Sequence, residues 1–248
     1  MTGNGAARTL IGVGVGPGDP EQLTLRALRE LRTADVVFAP CTDLDGASRA
    51  EAVVLAAAQV TPRRLVFALD DRGGVTEQRE AAWDEAARTV LGAFDAGAAR
   101  VAFVTLGDPN VYSTFGYLAQ SVAMLDPEVR VETVAGITAM QDLASRAVLR
   151  LAEGREPLTL VPATAGLAEV EAALAAGGTV VVYKGGRSMS ALAALVEAHG
   201  RTADAVLGSE LGLPGERIVP LARWDAERAS YFSTLIIPAA RGGRGAAL

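Results

Sequence analysis

The sequence predicts an α/β protein with two α/β domains, each built on a mixed sheet of roughly five strands. Half of the 248 residues are hydrophobic and 27 are glycine, a composition typical of a packed α/β core. Short β-rich runs alternate with helical patterns, which indicates much parallel sheet. Ten strands are many for one open sheet of this length. We therefore predict domains at 1–150 and 158–248, joined by the polar linker LAEGREP at 151–157.

The individual elements follow from local hydrophobic patterns. In the helix predicted at 76–96, Trp83, Val90 and Phe94 fall on one face while charged residues spread over the other. The predicted strands are 9–15, 35–39, 65–69, 101–106, 130–134, 158–162, 179–183, 204–209, 217–221 and 233–238. The predicted helices are 20–32, 47–59, 76–96, 113–124, 138–149, 166–176 and 188–199.

Charge and composition restrict the possible partners. The formal net charge of −6 argues against nucleic acid as a main partner. No apolar stretch is long enough to span a bilayer, and the first residues carry no apolar signal core. The single cysteine, Cys41, cannot form an internal disulfide. We expect a cytoplasmic protein that does not bind a membrane.

The chain carries few residues for metal or nucleophilic chemistry. His199 is the only histidine, and it lies just before a glycine that is expected to end a helix at the surface. One histidine and one cysteine predict no zinc cluster and no Ser-His-Asp or Cys-His machinery. We therefore expect no bound metal, and chemistry that relies on a reactive cofactor or substrate.

The stretch GVGVGPGDP joins the first strand to a helix that Asp19 can cap. Such loops bind dinucleotides when they fit G-x-G-x-x-G. From Gly12 and Gly14 the third position is Pro17, and from Gly14 and Gly16 it is Asp19, so neither frame fits. A turn without a ligand would need fewer glycines. We expect this loop to contact a ligand in another geometry, and a nicotinamide-binding protein, with Asp43 or Asp45 on the ribose, stays an alternative.

Three further loops follow predicted strands. They lie in FVTLGDPNVYSTFGYL at 103–118, VETVAGITAMQDLASRA at 131–147 and TVVVYKGGRS at 179–188. Each one alone is explained equally well as a capped turn. Because α/β sheets bind ligands at the carboxyl ends of their strands, the joint occurrence predicts a ligand site.

These motifs, in this order and spacing, resemble the tetrapyrrole methylases, a two-domain family of S-adenosylmethionine-dependent enzymes. The resemblance covers roughly residues 8–238, with Ala135 where the family usually has proline. It implies an active-site cleft between the domains, a small-molecule tetrapyrrole substrate and a homodimer. GDPNVYST and the closing YFSTLIIP most resemble the members that methylate C20 of precorrin-2 in cobalamin biosynthesis. Another tetrapyrrole position, on uroporphyrinogen III or a later precorrin, stays open, as does the presence of cobalt.

The resemblance also implies roles for individual residues. The GPGD loop would line the tetrapyrrole side of the cleft. Asp19, Asp108 and Tyr112 are candidates for positioning or proton transfer, although Asp108 is better explained as a turn residue that holds backbone amides. The donor S-adenosylmethionine would contact Pro17, Leu106, Gly107, Asp108, Val111, Thr138, Ala139, Tyr183, Lys184, Leu211 and Gly212.

The substrate carries acetate and propionate carboxylates, which arginine binds bidentately. The arginines near the predicted loops are Arg49, Arg146, Arg150, Arg155 and Arg187. Ser48, Ser113 and Thr114 would add hydrogen bonds or cap helices. Together the predicted substrate residues are Gly16, Gly18, Asp19, Ser48, Arg49, Ser113, Thr114 and Arg146.

Overall fold

A computed structural model describes residues 7–43, 48–67, 74–243 and 245. The chain forms two compact units, 1–138 and 139–248, and each contains a sheet of five strands. The α/β fold with two such sheets is thereby confirmed. The strands are β1 (Thr9–Gly14), β2 (Val36–Cys41), β3 (Arg63–Val66), β4 (Arg100–Thr105), β5 (Arg130–Val134), β6 (Leu158–Pro162), β7 (Thr179–Tyr183), β8 (Val206–Ser209), β9 (Arg217–Pro220) and β10 (Ser233–Ile237). The helices are α1 (Leu25–Thr33), α2 (Arg49–Ala58), α3 (Glu77–Asp95), α4 (Phe115–Leu125), α5 (Ala139–Arg146), α6 (Leu167–Ala176) and α7 (Met189–Ala198).

The first sheet has the order β3-β2-β4-β1-β5. All four of its pairings are parallel, although a mixed sheet was expected, because a helix crosses over between each pair of successive strands. The carboxyl ends of its five strands therefore lie at one edge. β1 occupies the position between β4 and β5, so the loops after these three strands are neighbours.

Alternate strand residues face two hydrophobic layers in the first unit. Leu10 and Phe103 face α3 and α4, whereas Ile11 and Val104 face α1 and α2. Trp83, Val90 and Phe94 of α3 all join the first of these clusters, as their helical spacing predicts.

The helix predicted at 20–32 is interrupted. Asp19 caps a single 3-10 turn at Pro20–Gln22, and its Oδ1 accepts a hydrogen bond from the Glu21 N–H at 2.9 Å. The chain then extends, and Thr24 caps α1 by accepting from the Ala27 N–H at 3.1 Å. A second capping residue thus ends the first turn where apolar periodicity alone predicts continuity.

The second sheet has the order β6-β7-β10-β8-β9. β6 and β7 pair in parallel, and the other three pairings are antiparallel, so this sheet is mixed. One face packs against α6 and α7. The other face carries Val181 and Ile236, which contact Leu143 and Ala144 of α5.

The second compact unit begins at Ala139, ahead of the linker predicted at 151–157. The reason is the packing of α5 on the second sheet, which groups this helix with residues that follow it in the chain. The domain limits at 150 and 158, with the linker at 151–157 between them, stay a prediction. No helix among the described residues combines the length and apolar character needed to cross a membrane.

Candidate functional site

Three loops at the carboxyl edge of the first sheet pack main chain against main chain. A Cβ atom placed on Gly14 would lie 2.5 Å from the Gly107 carbonyl oxygen, and one on Gly136 would lie 2.1 Å from the same oxygen. Both distances are too short for any side chain. Glycine is therefore required at positions 14 and 136, because the backbones at the ends of β1, β4 and β5 touch there.

The first two loops are also joined by hydrogen bonds. The Gly107 N–H donates to the Gly16 carbonyl at 2.7 Å, and the Val15 N–H donates to the Thr105 carbonyl at 2.9 Å. Gly12 lies under the Phe115 ring, which a Cβ atom would approach to 2.5 Å. Close contacts account for Gly12 and Gly14, and a left-handed φ of +79° accounts for Gly16, so the number of glycines does not by itself indicate a ligand.

Asp108 joins the second and third of these loops. Its Oδ1 accepts from the Asn110 N–H at 2.8 Å, and its Oδ2 accepts from the Gly136 N–H at 3.0 Å. Both carboxylate oxygens thus hold backbone amides. This geometry favours the turn role over proton transfer.

Leu106 and Gly107 are half-buried and lie beside Asp108 in the loop after β4. Gly107 has φ +69°, a left-handed conformation that favours glycine. A Cβ atom there would have one neighbour within 4 Å among the described residues, the Thr138 Cα at 3.9 Å. The space next to Gly107 is consequently open, and Thr138 borders it.

The segment after Asp108 leads into α4. Ser113 rather than Thr114 caps this helix. Its hydroxyl accepts a hydrogen bond from the Phe115 N–H at 3.1 Å and contacts the Thr105 hydroxyl at 3.1 Å.

Tyr112 has φ +50° and is 40% exposed. Burial of part of its ring raises the pKa of Tyr112 above the ordinary value of 10.0. A surface pocket of about 490 Å³ lies here, lined by Pro109, Asn110, Tyr112, Ser113, Phe115, Gly116, Tyr117, Ala119, Val131 and Thr133.

Other predicted residues of the first unit lie in the loop after β1 and at the start of α2. Gly16, Pro17 and Gly18 are buried, and Asp19 is half-buried. Ser48 caps α2 by accepting from the Glu51 N–H at 3.5 Å, and Arg49 is the first residue of that helix. Asp43 is described, whereas Asp45 lies outside the described residues.

In the second unit, α5 connects several predicted donor contacts. Ala139 is its first residue, and the Met140 N–H donates to the Tyr183 Oη at 3.3 Å. Leu211 is buried in the cluster formed by Leu143 and the second sheet. Ala139, Tyr183 and Leu211 are therefore brought together on one side of this sheet.

Lys184 and Glu210 have left-handed φ angles of +59° and +55°. Backbone strain of this kind is common at functional sites. The Lys184 Nζ lies 5.8 Å from the centre of the Tyr231 ring, and the Ser230 hydroxyl donates to the Glu210 carboxylate. Lys184, a predicted donor contact, thus lies beside the aromatic ring of Tyr231, which the sequence analysis did not include.

Arg146 is committed to protein carboxylates. Its guanidinium donates two hydrogen bonds to Glu216 and lies 3.7 Å from Asp142. The hydrogen bond with Glu216 raises the pKa of Arg146, and the same bond lowers the pKa of Glu216 below its ordinary value of 4.5. Sequence reasoning missed Glu216, because its partner is 70 residues away in the chain. Its place in LGLPGE, next to two predicted donor residues, is the signal that could have found it.

Comparison with known proteins decides the family. A family model described as tetrapyrrole (corrin/porphyrin) methylases matches residues 9–223. The chain belongs to the tetrapyrrole methylase family. Among the described residues of this tetrapyrrole methylase, no group of three or more histidine, cysteine, aspartate or glutamate side chains is arranged to hold a metal ion.

Curated relatives of this tetrapyrrole methylase share most of its length. It is 32% identical over 237 residues to a cobalt-precorrin-2 C(20)-methyltransferase of Salmonella typhimurium, a match covering 92% of this chain and 95% of the relative. It is 31% identical to a precorrin-2 C(20)-methyltransferase of a Sinorhizobium species, covering 96% and 98%. The crystal structure of a cobalt precorrin-4 methyltransferase matches with TM-score 0.68 at 20% identity, over 96% of this chain and 98% of that one, which shows the shared fold.

Proposed function

We propose that this tetrapyrrole methylase transfers a methyl group from S-adenosylmethionine to C20 of precorrin-2 or of cobalt-precorrin-2. The observation that carries the proposal is the similarity to two methyltransferases named for C20 of this substrate, each covering more than nine tenths of both chains. The match to the structure of a methyltransferase of another precorrin supports the shared fold alone.

The residues present fit such a donor. The main chain at Gly107, with open space beside it, suits close approach of a ligand. Val111 and Thr138 would contact the same methionine and ribose portion, and Tyr183, Lys184, Leu211 and Gly212 the adenosine. When bound, the donor supplies a methyl group on a positively charged sulfur. The protein's task is then alignment of the reacting atoms, which needs no strong base.

The proton lost during methylation has one preferred acceptor among the three predicted residues. Asp108 uses both oxygens on backbone amides. The Tyr112 phenol has an ordinary pKa of 10.0, which burial raises further, so it is protonated at neutral pH and donates a hydrogen bond rather than removing a proton. We assign the acceptor role to Asp19, whose Oδ1 binds the Glu21 N–H.

The substrate carboxylates require local positive charge on a protein of net charge −6. Arg49 at the start of α2 and the exposed Arg187 are the assigned partners. Arg146 is not among them, because Glu216 binds its guanidinium.

We also propose that the protein is a homodimer in the cytoplasm. Light scattering measures the number of subunits directly.

The reaction is tested by carbon NMR. The protein is incubated separately with precorrin-2, cobalt-precorrin-2 and uroporphyrinogen III, each with donor carrying a ¹³C methyl group. We expect label at C20 of one or both precorrin-2 forms and none on uroporphyrinogen III. Label at another ring carbon would replace the C20 assignment by the alternative of another tetrapyrrole position.

Donor binding is tested by calorimetric titration with S-adenosylhomocysteine and, in parallel, with NAD. We expect binding of the first and none of the second. The stretch from Gly12 to Gly18 lacks the dinucleotide fingerprint, and close contacts within the protein explain Gly12 and Gly14. Binding of NAD without S-adenosylhomocysteine would support the nicotinamide alternative.

A further inference from the structure

We propose that Glu216 is a positioning residue that holds the donor-binding turn at Leu211 and Gly212 in place. It does so through the Glu216 bridge, which we define as Gly212, Glu216, Arg146 and Asp142. The inference rests on the proposed function, because it assumes that this turn contacts S-adenosylmethionine. Glu216 itself is not proposed to contact the donor.

The Glu216 bridge joins a loop to a helix. The Glu216 Oε2 accepts a hydrogen bond from the Gly212 N–H at 2.7 Å. Both carboxylate oxygens also accept from the Arg146 guanidinium, which projects from the last turn of α5. Asp142, one helical turn earlier and 3% exposed, lies 3.7 Å from the same guanidinium. One carboxylate thus orients a backbone amide of the turn relative to α5.

The turn between β8 and β9 is conformationally demanding. Glu210 has φ +55° and Gly212 has φ +68°, so two of three successive residues are left-handed. A non-glycine residue in this region stores strain of about 1–3 kcal/mol, which the surroundings must overcome. Leu211 anchors the turn in the apolar cluster, and Glu216 fixes the direction of the Gly212 N–H.

Two other predicted donor contacts of the second unit, Ala139 and Tyr183, rest on the same helix. Ala139 begins α5, and Tyr183 binds the Met140 N–H at its first turn. The Glu216 bridge binds the last turn of α5. A substitution in the bridge therefore releases the Leu211–Gly212 turn while Ala139 and Tyr183 keep their contacts. The expected consequence is a partial loss of donor affinity.

Two glutamate-to-glutamine variants distinguish an effect on the position of the turn from an effect on the stability of the protein. Glu216→Gln removes the charge that binds Arg146 and weakens the acceptor for Gly212. Glu156→Gln is the matched control, because Glu156 is in the same unit and its carboxylate accepts two hydrogen bonds from Arg241, at 2.7 Å from Nε and 2.5 Å from Nη2. Neither Glu156 nor Arg241 belongs to the proposed site.

The dissociation constant of S-adenosylhomocysteine is measured by calorimetry for both variants and the parent protein, with thermal unfolding alongside. We expect Glu216→Gln to weaken binding on the order of 10-fold, since one charge-assisted hydrogen bond is lost. The KM of the donor should rise in parallel while the KM of the tetrapyrrole is unchanged. Glu156→Gln should leave the dissociation constant within about 2-fold of the parent's.

Arg146→Lys provides the second variant, should Glu216→Gln fail to fold. Lysine keeps the charge but loses the bidentate geometry, so donor affinity should fall by less than in Glu216→Gln. A raised tetrapyrrole KM with unchanged donor affinity would instead make Arg146 a substrate residue and overturn the inference. Equal donor affinity in Glu216→Gln and the parent would overturn it while leaving the proposed function intact. If the parent itself does not bind S-adenosylhomocysteine, both proposals fail.

Discussion

Asp108 illustrates how a residue in a ligand-like motif can serve the protein itself. Its two oxygens hold backbone amides of two loops, Asn110 in its own loop and Gly136 in the next. A carboxylate two residues before a bonded amide forms a common turn, and this pattern can be read from the sequence. The bond to Gly136 cannot, because it depends on the order of strands in the sheet. Only the first half of this residue's role was therefore accessible from the sequence.

The backbone of Val148 is strained, although its side chain carries no polar group. It follows α5 with φ +54° and is 91% exposed. The Leu149 N–H donates to the Ala144 carbonyl at 2.8 Å, as in helix ends that favour glycine at this position. The predicted helix 138–149 ends at Arg146 for this reason, since a left-handed residue stops it.

Replacing Val148 by glycine should raise the free energy of unfolding by about 1 kcal/mol, because the left-handed strain disappears. Urea unfolding of Val148→Gly and of the parent measures the difference. Val148→Ile is the control, since isoleucine is equally strained and should leave stability unchanged. A Val148→Gly protein less stable than the parent would contradict this account of the helix end.

At the scale of elements, the site of the first unit is a packing of three loops. The positions of β1, β4 and β5 bring Gly14, Gly107 and Gly136 together at one sheet edge. The sequence correctly predicted that each of these loops follows a strand, because hydrophobic runs followed by glycine mark strand ends. It did not predict the backbone contacts between the loops, because backbone atoms are the same in every residue and give no signal in the sequence. The interrupted helix at 20–32 was likewise missed, since a capping threonine is also compatible with a helix interior.

Two glycine-to-alanine variants should have opposite effects. Gly136→Ala places a methyl group 2.1 Å from the Gly107 carbonyl oxygen, so we expect it to lower the free energy of unfolding by about 2 kcal/mol or more and to weaken donor binding. Gly92→Ala lies in α3 with open space around it and should raise stability by up to about 1 kcal/mol. Chemical denaturation of both proteins checks the signs. Equal stabilities would mean that the loops can separate without loss.

At the scale of the whole molecule, carboxylates paired with arginine or with backbone amides set the response to acid. Hydrogen bonds from Arg64 lower the pKa of Glu51, and backbone N–H groups of Arg100 and Ala99 lower the pKa of Asp35. Glu156, Glu216 and Asp225 are shifted the same way by arginines. A carboxyl whose pKa is lower in the folded protein stabilises the fold above its unfolded pKa and loses this contribution as pH falls.

The free energy of unfolding should therefore be nearly constant from pH 7 to about pH 5.5 and fall below about pH 4.5. Urea midpoints measured between pH 7 and pH 3 give the profile. Glu51→Gln should be less stable at pH 7 and should lose less stability on acidification than the parent. Stability that rises as pH falls through this range would show that the ion pairs do not act in this way.

The sequence and the structure agree more closely on architecture than on the site. Hydrophobic periodicity placed the ten strands of the described residues, because buried strands and amphipathic helices have distinct periods. The strand predicted at 65–69 is β3, which begins two residues earlier at Arg63, and positions 68 and 69 lie outside the described residues. It could not show that Arg146 binds Glu216, nor that the second unit begins at Ala139, since both depend on packing between distant segments. The family match over residues 9–223 indicates the reaction class in addition to the fold. The donor site remains our central proposal.

A crystal structure of the protein with bound S-adenosylhomocysteine tests that proposal most directly. We predict the ligand against the main chain of Gly107, beside Thr138. A ligand bound at some other surface, with the main chain at Gly107 free of it, would contradict the account.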